Sequence, residues 1–566
     1  MKKMMTWALA LLTSFSVNAQ QTLSELADPK PGDQETWNTV KKTSLAWGST
    51  DVRYPLSQPA TGAKTLSLDA WRGERVSAQA VLSTPVNLKN VAMEVSDLKC
   101  GKNVIPSKSV RKYFVRYVMT DWHNNRADSF LLADHLSPDV SMNLAAKTTR
   151  PLWLDIRVPQ DVPAGTYKGT LTVTSDGGKL SLPISVRVCS RTLPAPSEWA
   201  FHLDLWQNPY AVARYFNVPL WSKEHFDRMR PVMKMLAEAG EKVITCSVIQ
   251  HPWNCQTYDP FESMISKMKQ VDGSWKYDYT VFDLWVQFMM DCGITEQIDC
   301  YTLVPWTYEF DYYDCATNST KLVKCEPKTT EYRELILPFL KDFAAHLKAK
   351  GWFSRTCIAM DERPMDQLQA AWDIVREADP EFRFEGAMNY KVGQTGLIDQ
   401  MYDISVAHDD ANVPLEYMDA RRAKGQKTTF YTCCGPDRPN TFTFSDPAES
   451  AYMGWHAAAQ GFDGYLRWAY NSWNPEPAQD SRFGNWPSGD CYLVYPIGSS
   501  IRFERLVEGI QAYEKLRILR PELTDAQQKQ LDKVLEPFRR LTYDHNVEAA
   551  QMVNDAKAVL NKLSGK

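Results

Sequence analysis

Apolar and polar residues alternate along the chain from about residue 40 to residue 190, which is the pattern of β-strands with one buried face. Turn sequences such as VPAG and SDGG separate these closely spaced segments, and no helical period intervenes. Such spacing predicts an antiparallel β-sandwich, to which we assign residues 20–190. The predicted strands include RVSAQAVLS, VAMEVSDLK, KYFVRYVMT, LWLDIRVP, YKGTLTVTS and LSLPISVRV.

The pattern changes after CSRTLPAPSEW, residues 189–199, which we interpret as a linker. Eight short apolar segments then alternate with amphipathic ones such as EYRELILPFLKDFAAHLKAKG. This alternation predicts a (β/α)8 barrel over residues 199–500. Its predicted strands are AFHLDLW (200–206), KVITCSV (242–248), QIDCYTLV (297–304), TCIAM (356–360), FRFEGAM (382–388), YDISVAH (402–408), KTTFYTC (427–433) and FDGYLRWAY (462–470).

The last part of the chain, residues 501–566, has apolar residues at helical spacing throughout. We expect these helices to pack against the barrel, with their basic residues on solvated faces. The predicted architecture is therefore an N-terminal antiparallel β-sandwich, a central (β/α)8 barrel and a C-terminal helical region.

The first residues have the pattern of a secretory signal peptide. Lys2 and Lys3 precede an apolar run, and Val17, Asn18 and Ala19 form a small-residue cleavage site. We expect residues 1–19 to be removed, and Gln20 at the new N-terminus is inconsistent with a lipoprotein, which needs Cys there. No later apolar run is long enough to span a bilayer. The sequence thus predicts a periplasmic or secreted protein.

Composition narrows the possible partners. A net charge of −4 over 566 residues gives no reason to expect a nucleic acid or an anionic membrane surface as a partner. The chain also has 19 Trp and 25 Tyr, many of them between residues 199 and 496. These rings can fill large cores or line a carbohydrate-binding groove, and composition alone leaves both readings open.

Cysteine and histidine spacing gives no metal-binding motif, so we expect neither a metal nor a cofactor. Cys315 and Cys325 flank the polar segment ATNSTKLVK, and whether they form a disulfide stays open at this point. Several others lie in apolar strand-like runs, where cysteine is usually a small buried hydrophobe. These are Cys246, Cys300, Cys357, Cys433 and Cys434.

The adjacent acids Asp361 and Glu362 follow directly after the predicted fourth barrel strand, TCIAM. In (β/α)8 enzymes the carboxyl ends of the strands carry the chemistry. A structural alternative is that Asp361 caps the next helix and Glu362 lies in its first turn. The position in the barrel favours a catalytic pair.

Polar and aromatic residues follow the other predicted strands as well, which indicates one polar pocket lined with rings. Each residue taken singly is better explained by core or loop packing than by ligand binding. The candidates for substrate binding are Asp204, Trp206, His251, Trp306, Asn389, Tyr390, His408, Trp468, Asn471 and Trp473.

Two carboxylates in such a pocket suggest glycoside hydrolysis. Neighbouring acids straddle a scissile bond poorly, but they suit substrate-assisted catalysis, in which the substrate's own 2-acetamido group attacks the anomeric carbon. With its signal peptide, sandwich, barrel and the motif IAMDERP, the chain resembles glycoside hydrolase family 123. The resemblance implies an exo-acting, retaining N-acetyl-β-galactosaminidase acting on terminal β-GalNAc. It further implies that Asp361 orients the acetamido group and stays ionised, and that Glu362 is the general acid and then the base.

Two other functions stay open. A catalytically silent carbohydrate-binding protein could use the same groove, although a pure binder has no need of a general acid. A two-carboxylate β-glycosidase of other specificity could pair Glu362 with a distant nucleophile such as Asp204 or Asp409.

Overall fold

The structure is a computed structural model that describes residues 24–254, 256–393, 395–543 and 548–565. The predicted signal peptide, residues 1–19, lies outside the described residues and stays a prediction. None of the described helices is both long and apolar enough to cross a lipid bilayer.

The N-terminal part consists of β-strands, as predicted. In chain order they are β1 (Ser44–Gly48), β2 (Leu66–Arg72), β3 (Arg75–Thr84), β4 (Leu88–Val95), β5 (Leu98–Cys100), β6 (Asn103–Ile105), β7 (Val110–Thr120), β8 (Phe130–Ser137), β9 (Ser141–Leu144), β10 (Thr148–Arg157), β11 (Gly165–Ser175) and β12 (Gly178–Thr192).

These strands form two packed sheets. One has the order β1-β3-β10-β7-β8, and the other has the order β2-β12-β11-β4-β9, with β5 and β6 at its side. Strand pairing is antiparallel except between β2 and β12, which run parallel. Alternate residues such as Leu152, Leu154 and Ile156 of β10 are buried in the aliphatic core, which explains the period-two sequence pattern.

Strands and helices then alternate. The strands are β13 (His202–Leu205), β14 (Val243–Ser247), β15 (Ser266–Lys269), β16 (Trp275–Asp278), β17 (Gln297–Tyr301), β18 (Glu309–Asp314), β19 (Ser319–Lys324), β20 (Thr356–Met360), β21 (Arg383–Met388), β22 (Asp403–Ala407), β23 (Lys427–Tyr431), β24 (Gly464–Arg467) and β25 (Ser499–Ser500). The helices are α1 (Pro209–Phe216), α2 (Lys223–Ala237), α3 (Thr280–Cys292), α4 (Thr330–Lys350), α5 (Met365–Ala378), α6 (Gly396–Gln400), α7 (Leu415–Arg422), α8 (Pro447–Gln460), α9 (Ile501–Leu519), α10 (Asp525–Leu535) and α11 (Ala549–Ser564).

Within the described residues, eight parallel strands form the predicted barrel in the order β13-β24-β23-β22-β21-β20-β17-β14. Between β13 and β14 the backbone ladder is reduced to a single bridge, Leu203 to Glu241. Side chains complete this seam. The Gln207 amide donates to the Val243 carbonyl at 3.1 Å and accepts from the Thr245 N–H at 2.9 Å. The barrel is therefore nearly closed, and its carboxyl ends meet at one rim.

A small sheet with the order β16-β15-β18-β19 is inserted between barrel elements, and the sequence pattern did not predict it. In this sheet β18 and β19 form a hairpin whose ladder runs from Asp314–Ser319 at the turn to Glu309–Lys324 at the base. Cys315 follows β18 at the turn and Cys325 follows β19 at the base, so the whole ladder separates them. Both thiols are free, which resolves the disulfide question left open by the sequence.

The helices after β25 pack on the barrel, as predicted. Helix α9 follows the last barrel strand, and its Phe503, Leu506 and Ile510 belong to the barrel core. Its C-terminal end packs with α10 and α11 in a separate apolar cluster. The barrel layer therefore includes α9, and α10 and α11 cover it.

The sandwich and the barrel are joined through buried contacts. Strand β25 pairs with β8 of the sandwich, and Met119 bridges to Asp480. The Arg502 guanidinium on α9 lies 3.0 Å from the Asp134 carboxylate on β8, and both side chains are fully buried. Sandwich and barrel thus share an interior.

Candidate active site

The paired acids lie at the carboxyl end of β20, at the barrel rim, as predicted. Asp361 and Glu362 are partly buried and form a short turn that precedes α5. The first residues of that helix receive no side-chain cap, and Pro364 stands at its N-cap position. The capping alternative for Asp361 is therefore wrong, and both carboxylates are available to a ligand.

The two acids face a cavity of about 240 Å³ at the centre of the rim. Its walls are mainly indole rings, with one amide, one phenol and two thiols. The lining residues are Trp206, Trp253, Gln256, Trp306, Asp361, Glu362, Ala387, Tyr431, Cys433, Cys434, Leu466, Trp468 and Trp486. A small cavity of stacked rings and paired carboxylates suits a sugar, which presents both an apolar face and hydroxyl groups.

Asp361 is held by two donors. The Trp306 indole Nε1–H donates to its Oδ2 at 2.7 Å, and the Glu362 backbone N–H donates to its Oδ1 at 2.8 Å. Burial raises the pKa of Asp361 to about 6 although both hydrogen bonds lower it. Sequence reasoning treated Asp361 as ionised without such a shift, and the shift follows from the enclosing rings.

Glu362 has a different partner. The Tyr431 hydroxyl at the end of β23 donates a hydrogen bond to Glu362 Oε1. Burial and the neighbouring Glu362 charge raise the pKa of Tyr431, so this phenol stays protonated and remains a donor. The phenol thereby fixes one carboxyl oxygen and leaves the other free to exchange a proton.

Arg363 fixes the ring that holds Asp361. Its guanidinium lies 4.7 Å from the ring centroid of Trp306 and 4.9 Å from that of Tyr308. The backbone carbonyl of Arg363 accepts a 3.1 Å hydrogen bond from the Tyr390 hydroxyl. The residue after the acid pair thus packs the Trp306 loop and the turn together.

Among the predicted binding residues, Trp206, Trp306 and Trp468 line the cavity with the acid pair. Trp206 stacks on Trp253 with 4.9 Å between ring centroids. On the other side, the Trp468 indole donates to Asp490 at 3.1 Å and lies 5.3 Å from Trp486. These pairs form two walls of the pocket.

Asn471, Trp473 and Asp204 were predicted to bind substrate, and the structure places all three away from the cavity. Asn471 is fully buried and exchanges hydrogen bonds with the Asn208 backbone. Trp473 is fully buried and donates to the Val494 carbonyl. Asp204 points into the barrel interior beneath Trp206. Their interpretation as ligands was wrong because the loop after β24 turns Asn471 and Trp473 into the core, and Asp204 lies deeper in the barrel than Trp206.

The remaining four candidates lie around the rim without lining the cavity. His251 is in the loop after β14, and Asn389 is exposed after β21. Tyr390 contacts Arg363 as described above. His408 pairs with Asp409 at 3.0 Å, and its ring lies against Gly435, two residues after Cys433. Their binding roles stay predictions.

Sequence reasoning left several lining residues out of the candidate set. Tyr431 is the last residue of its strand, and Gln256 and Trp486 come from long loops without a periodic signal. Cys433 and Cys434 were expected to be buried hydrophobes, but Cys433 is half-buried and Cys434 is exposed. This expectation was wrong because β23 ends at Tyr431, whereas Cys246, Cys300 and Cys357 are buried as predicted.

A cluster of buried acids lies beneath the pocket inside the barrel. Oxygens of Asp204, Asp299 and Glu385 are within 4.8 Å of one another, the described arrangement that most resembles a metal-ligand set. Gln297 donates to Asp299 at 3.0 Å, and Tyr301 donates to Glu385 at 2.9 Å. Burial, followed by repulsion from neighbouring carboxylates that include Asp403, raises the pKa of all three carboxyls well above their usual range. These three carboxyls therefore favour their protonated forms.

Comparisons with known proteins agree with this geometry. A family model described as "Glycoside hydrolase 123, catalytic domain" matches residues 206–519, and one described as "Glycoside hydrolase 123 N-terminal domain" matches residues 47–175. No curated protein sequence matches the chain significantly.

Among solved structures, a family 123 glycoside hydrolase from Clostridium perfringens, studied for glycolipid glycan hydrolysis, is similar over 93% of this chain and 98% of its own. Its sequence identity is 27% and the TM-score is 0.85. A β-glucuronidase from Parabacteroides merdae aligns over 84% of this chain and 52% of its own, at 11% identity and a TM-score of 0.30. That likeness is too weak to bear on activity.

Proposed function

Because the chain belongs to glycoside hydrolase family 123, we propose that it is a retaining exo-glycosidase that releases terminal β-linked N-acetylgalactosamine by substrate-assisted catalysis. The relative from Clostridium perfringens is described as acting on glycolipid glycans, which supports glycans of this kind as substrates. We further propose that the protein is exported, as its N-terminal sequence suggests.

The proposal rests on one observation. Among the described residues that line the cavity, the acidic ones are Asp361 and Glu362, which are neighbours on one turn. A mechanism with two protein carboxylates needs a second acid across the scissile bond, about 5 Å away or more. Without such an acid in the wall, the substrate's acetamido oxygen is the nucleophile that remains.

The two candidate nucleophiles of the alternative mechanism are poorly placed for it. Asp204 is 2% exposed and lies beneath the cavity floor, with a carboxyl that favours its protonated form. The Asp409 side chain is 85% exposed, pairs with His408 and does not line the cavity. Neither carboxylate supports attack on a sugar in the pocket.

Each acid has the partners that its proposed role requires. Asp361, positioned by Trp306 and by the turn, accepts the acetamido N–H and stabilises the positive charge of the oxazolinium intermediate. Glu362 protonates the leaving oxygen and then removes a proton from the attacking water. Two successive inversions at the anomeric carbon retain its configuration.

The shape of the cavity supports exo action. Its volume of about 240 Å³ is below the range of roughly 300–1,000 Å³ typical of drug-sized ligands. One terminal sugar residue fits such a space better than an internal segment of a glycan. A silent binding protein would have no use for a positioned general acid, so we favour an enzyme.

A substrate panel tests the proposal. We expect nitrophenyl β-GalNAc to be cleaved and the matching β-galactoside to be inert, because the galactoside lacks the nucleophile, with β-GlcNAc testing the preference at C4. NMR of the first product should show the β-anomer, and a thiazoline mimic of the oxazoline should inhibit. Equal rates on β-GalNAc and β-galactoside, or an α-anomer as first product, would refute the mechanism.

A further inference from the structure

Two adjacent thiols form part of the pocket wall. Cys433 and Cys434 follow β23, and their Sγ atoms are 3.8 Å apart. Both line the same cavity as Asp361 and Glu362, and Cys434 is exposed to solvent. The proposed hydrolysis uses neither thiol.

We propose that Cys433 and Cys434 are a redox-active dithiol that closes reversibly into a disulfide in the wall of the substrate pocket and thereby lowers glycosidase activity. The oxidant is a disulfide, either a small molecule such as oxidised glutathione or a dithiol oxidase.

The surroundings of the pair distinguish its two members. The thiols of Cys433 and Cys434 are within hydrogen-bond distance of each other, and the His408 ring lies against Gly435, which follows the pair. The hydrogen bond that Cys434 accepts from Cys433 lowers the pKa of Cys434 to about 7. The same hydrogen bond raises the pKa of the donor, Cys433. Cys434 is therefore the thiol that is both exposed and more readily ionised, which are the properties of an attacking cysteine.

Gly435 allows His408 to approach. A Cβ on Gly435 would lie 2.8 Å from His408 Nε2, so a larger residue would push the imidazole away. The ring is thereby kept next to Cys433, where it can accept the proton of that thiol.

Oxidation of the pair takes place in two thiol–disulfide exchange steps. The Cys434 thiolate attacks one sulfur of the oxidant RSSR, which forms a mixed disulfide and releases one thiolate. Cys433 then gives its proton to His408, and its sulfur attacks Cys434 Sγ and expels the second thiolate. Two electrons and two protons leave with the oxidant as two thiols.

Ring closure strains the loop, which makes the bond reversible. The Cα atoms of adjacent residues are about 3.8 Å apart, below the roughly 4.4–6.8 Å of ordinary disulfides, and strained bonds are more easily reduced. The Cys433 carbonyl accepts from Asn440 at 3.1 Å and its N–H donates to Gly435 at 2.9 Å. Closure must shift this loop, and Tyr431, the donor to Glu362, is two residues away.

The test uses the full-length protein in buffers of graded reduced-to-oxidised glutathione ratio, followed by alkylation of free thiols. The tryptic fragment from Thr428 to Arg467 contains Cys433 and Cys434 and no other cysteine. We expect this fragment to become unalkylated and two hydrogens lighter in oxidising buffer, and to recover on reduction. Alkylation of both thiols, or stable glutathione adducts on them, in the oxidising buffer would overturn the proposal.

Activity is measured in parallel on whichever aryl glycoside of the substrate panel is cleaved, so that failure of the GalNAc assignment leaves this test intact. Oxidation should reduce kcat/KM by about tenfold or more, the order expected for losing a hydrogen bond to a charged group. The ratio of reduced to oxidised activity should be one in Cys434→Ser and in Cys433→Ser, whatever their absolute rates. Cys315→Ser, which leaves the pair intact, should keep the wild-type ratio. A disulfide without any change in activity would refute the regulatory role.

Discussion

The indole Nε1–H of Trp306 donates a 2.7 Å hydrogen bond to Oδ2 of Asp361, and this bond couples the loop after β17 to the acid at the end of β20. It stabilises the ionised form of a carboxyl that burial pushes toward the neutral form. The charge state of Asp361 is therefore set by a balance between its burial in the pocket and its hydrogen bonds, of which the bond from the indole is one.

This balance predicts where kcat/KM falls on the acidic side of its pH profile, the acidic limb. In the proposed mechanism Asp361, with a pKa of about 6, must be ionised to stabilise positive charge, so kcat/KM should fall as pH drops through that value. In Trp306→Phe the hydrogen bond that lowers the pKa is lost, so the limb should move to higher pH and the plateau should fall about tenfold or more. Trp486→Phe, which replaces a wall indole that makes no bond to Asp361 by a smaller ring, should change KM and leave the limb in place. An unmoved limb in Trp306→Phe would show that another group sets it.

The proposed roles of the two acids predict that only one of the two variants depends on the leaving group. Glu362→Gln should lose about 10²–10⁴-fold on poor leaving groups and much less on a dinitrophenyl glycoside, which needs no proton donor. Asp361→Asn should be severely impaired on both, because the intermediate itself loses its stabilising charge. Asp366→Asn, an exposed carboxylate at the start of α5, is the matched control and should resemble wild type. Parallel losses in the two catalytic variants would refute the assignment.

The Tyr431 contact predicts a contribution to proton transfer. Tyr431→Phe removes the donor to Glu362 Oε1, so kcat should fall about tenfold on a poor leaving group, the order of a lost hydrogen bond to a charged group. The loss should shrink on an activated substrate. Tyr402→Phe, at the opposite end of the barrel, should be unaffected in both assays. A uniform loss across leaving groups would mean that Tyr431 contributes to binding instead.

The buried acid cluster predicts a gain in stability. The pKa of Glu385 is raised in the folded state by burial and by Asp299, so the folded protein retains a proton that the unfolded chain releases. The stabilisation that this proton contributes is fully present below the pKa that Glu385 has in the unfolded chain. It is lost as pH rises toward the pKa that Glu385 has in the folded protein. Glu385→Gln mimics the protonated group and can still accept from Tyr301. Its Tm should match wild type in acid and exceed it at higher pH by about 1 °C, the shift that about 1 kcal/mol produces in a chain of 566 residues. Thermal unfolding across pH measures this, and an equal loss of Tm at every pH would contradict it.

The pattern of apolar runs in the sequence was sufficient to predict the barrel. All eight predicted strands are present, and TCIAM coincides with β20 at both ends, because buried parallel strands are short apolar runs between amphipathic helices. The position of Asp361 and Glu362 at the rim followed from that count. The inserted sheet β15, β16, β18 and β19 was missed because its strands are short and largely polar.

The pocket wall was only partly predictable. Strand ends identify the rim, but whether a side chain faces the cavity or the core depends on strand alternation and on loop paths. Trp206 and Trp473 have the same sequence signature, yet one lines the cavity and the other is fully buried. Trp486 and Cys434 reach the pocket only through tertiary contacts, which no local pattern records.

The pairing of β25 with β8, together with the enclosed Arg502–Asp134 contact, limits how this enzyme can be trimmed or recombined. A catalytic barrel excised at the linker would carry Arg502 without its counter-ion, and breaking such a buried pair costs about 3–5 kcal/mol. A shortened expression clone that begins near residue 199 would also lack the strand on which β25 is ordered. A chimera that contains this barrel must therefore also contain the sandwich, because the two have to be transferred as one unit.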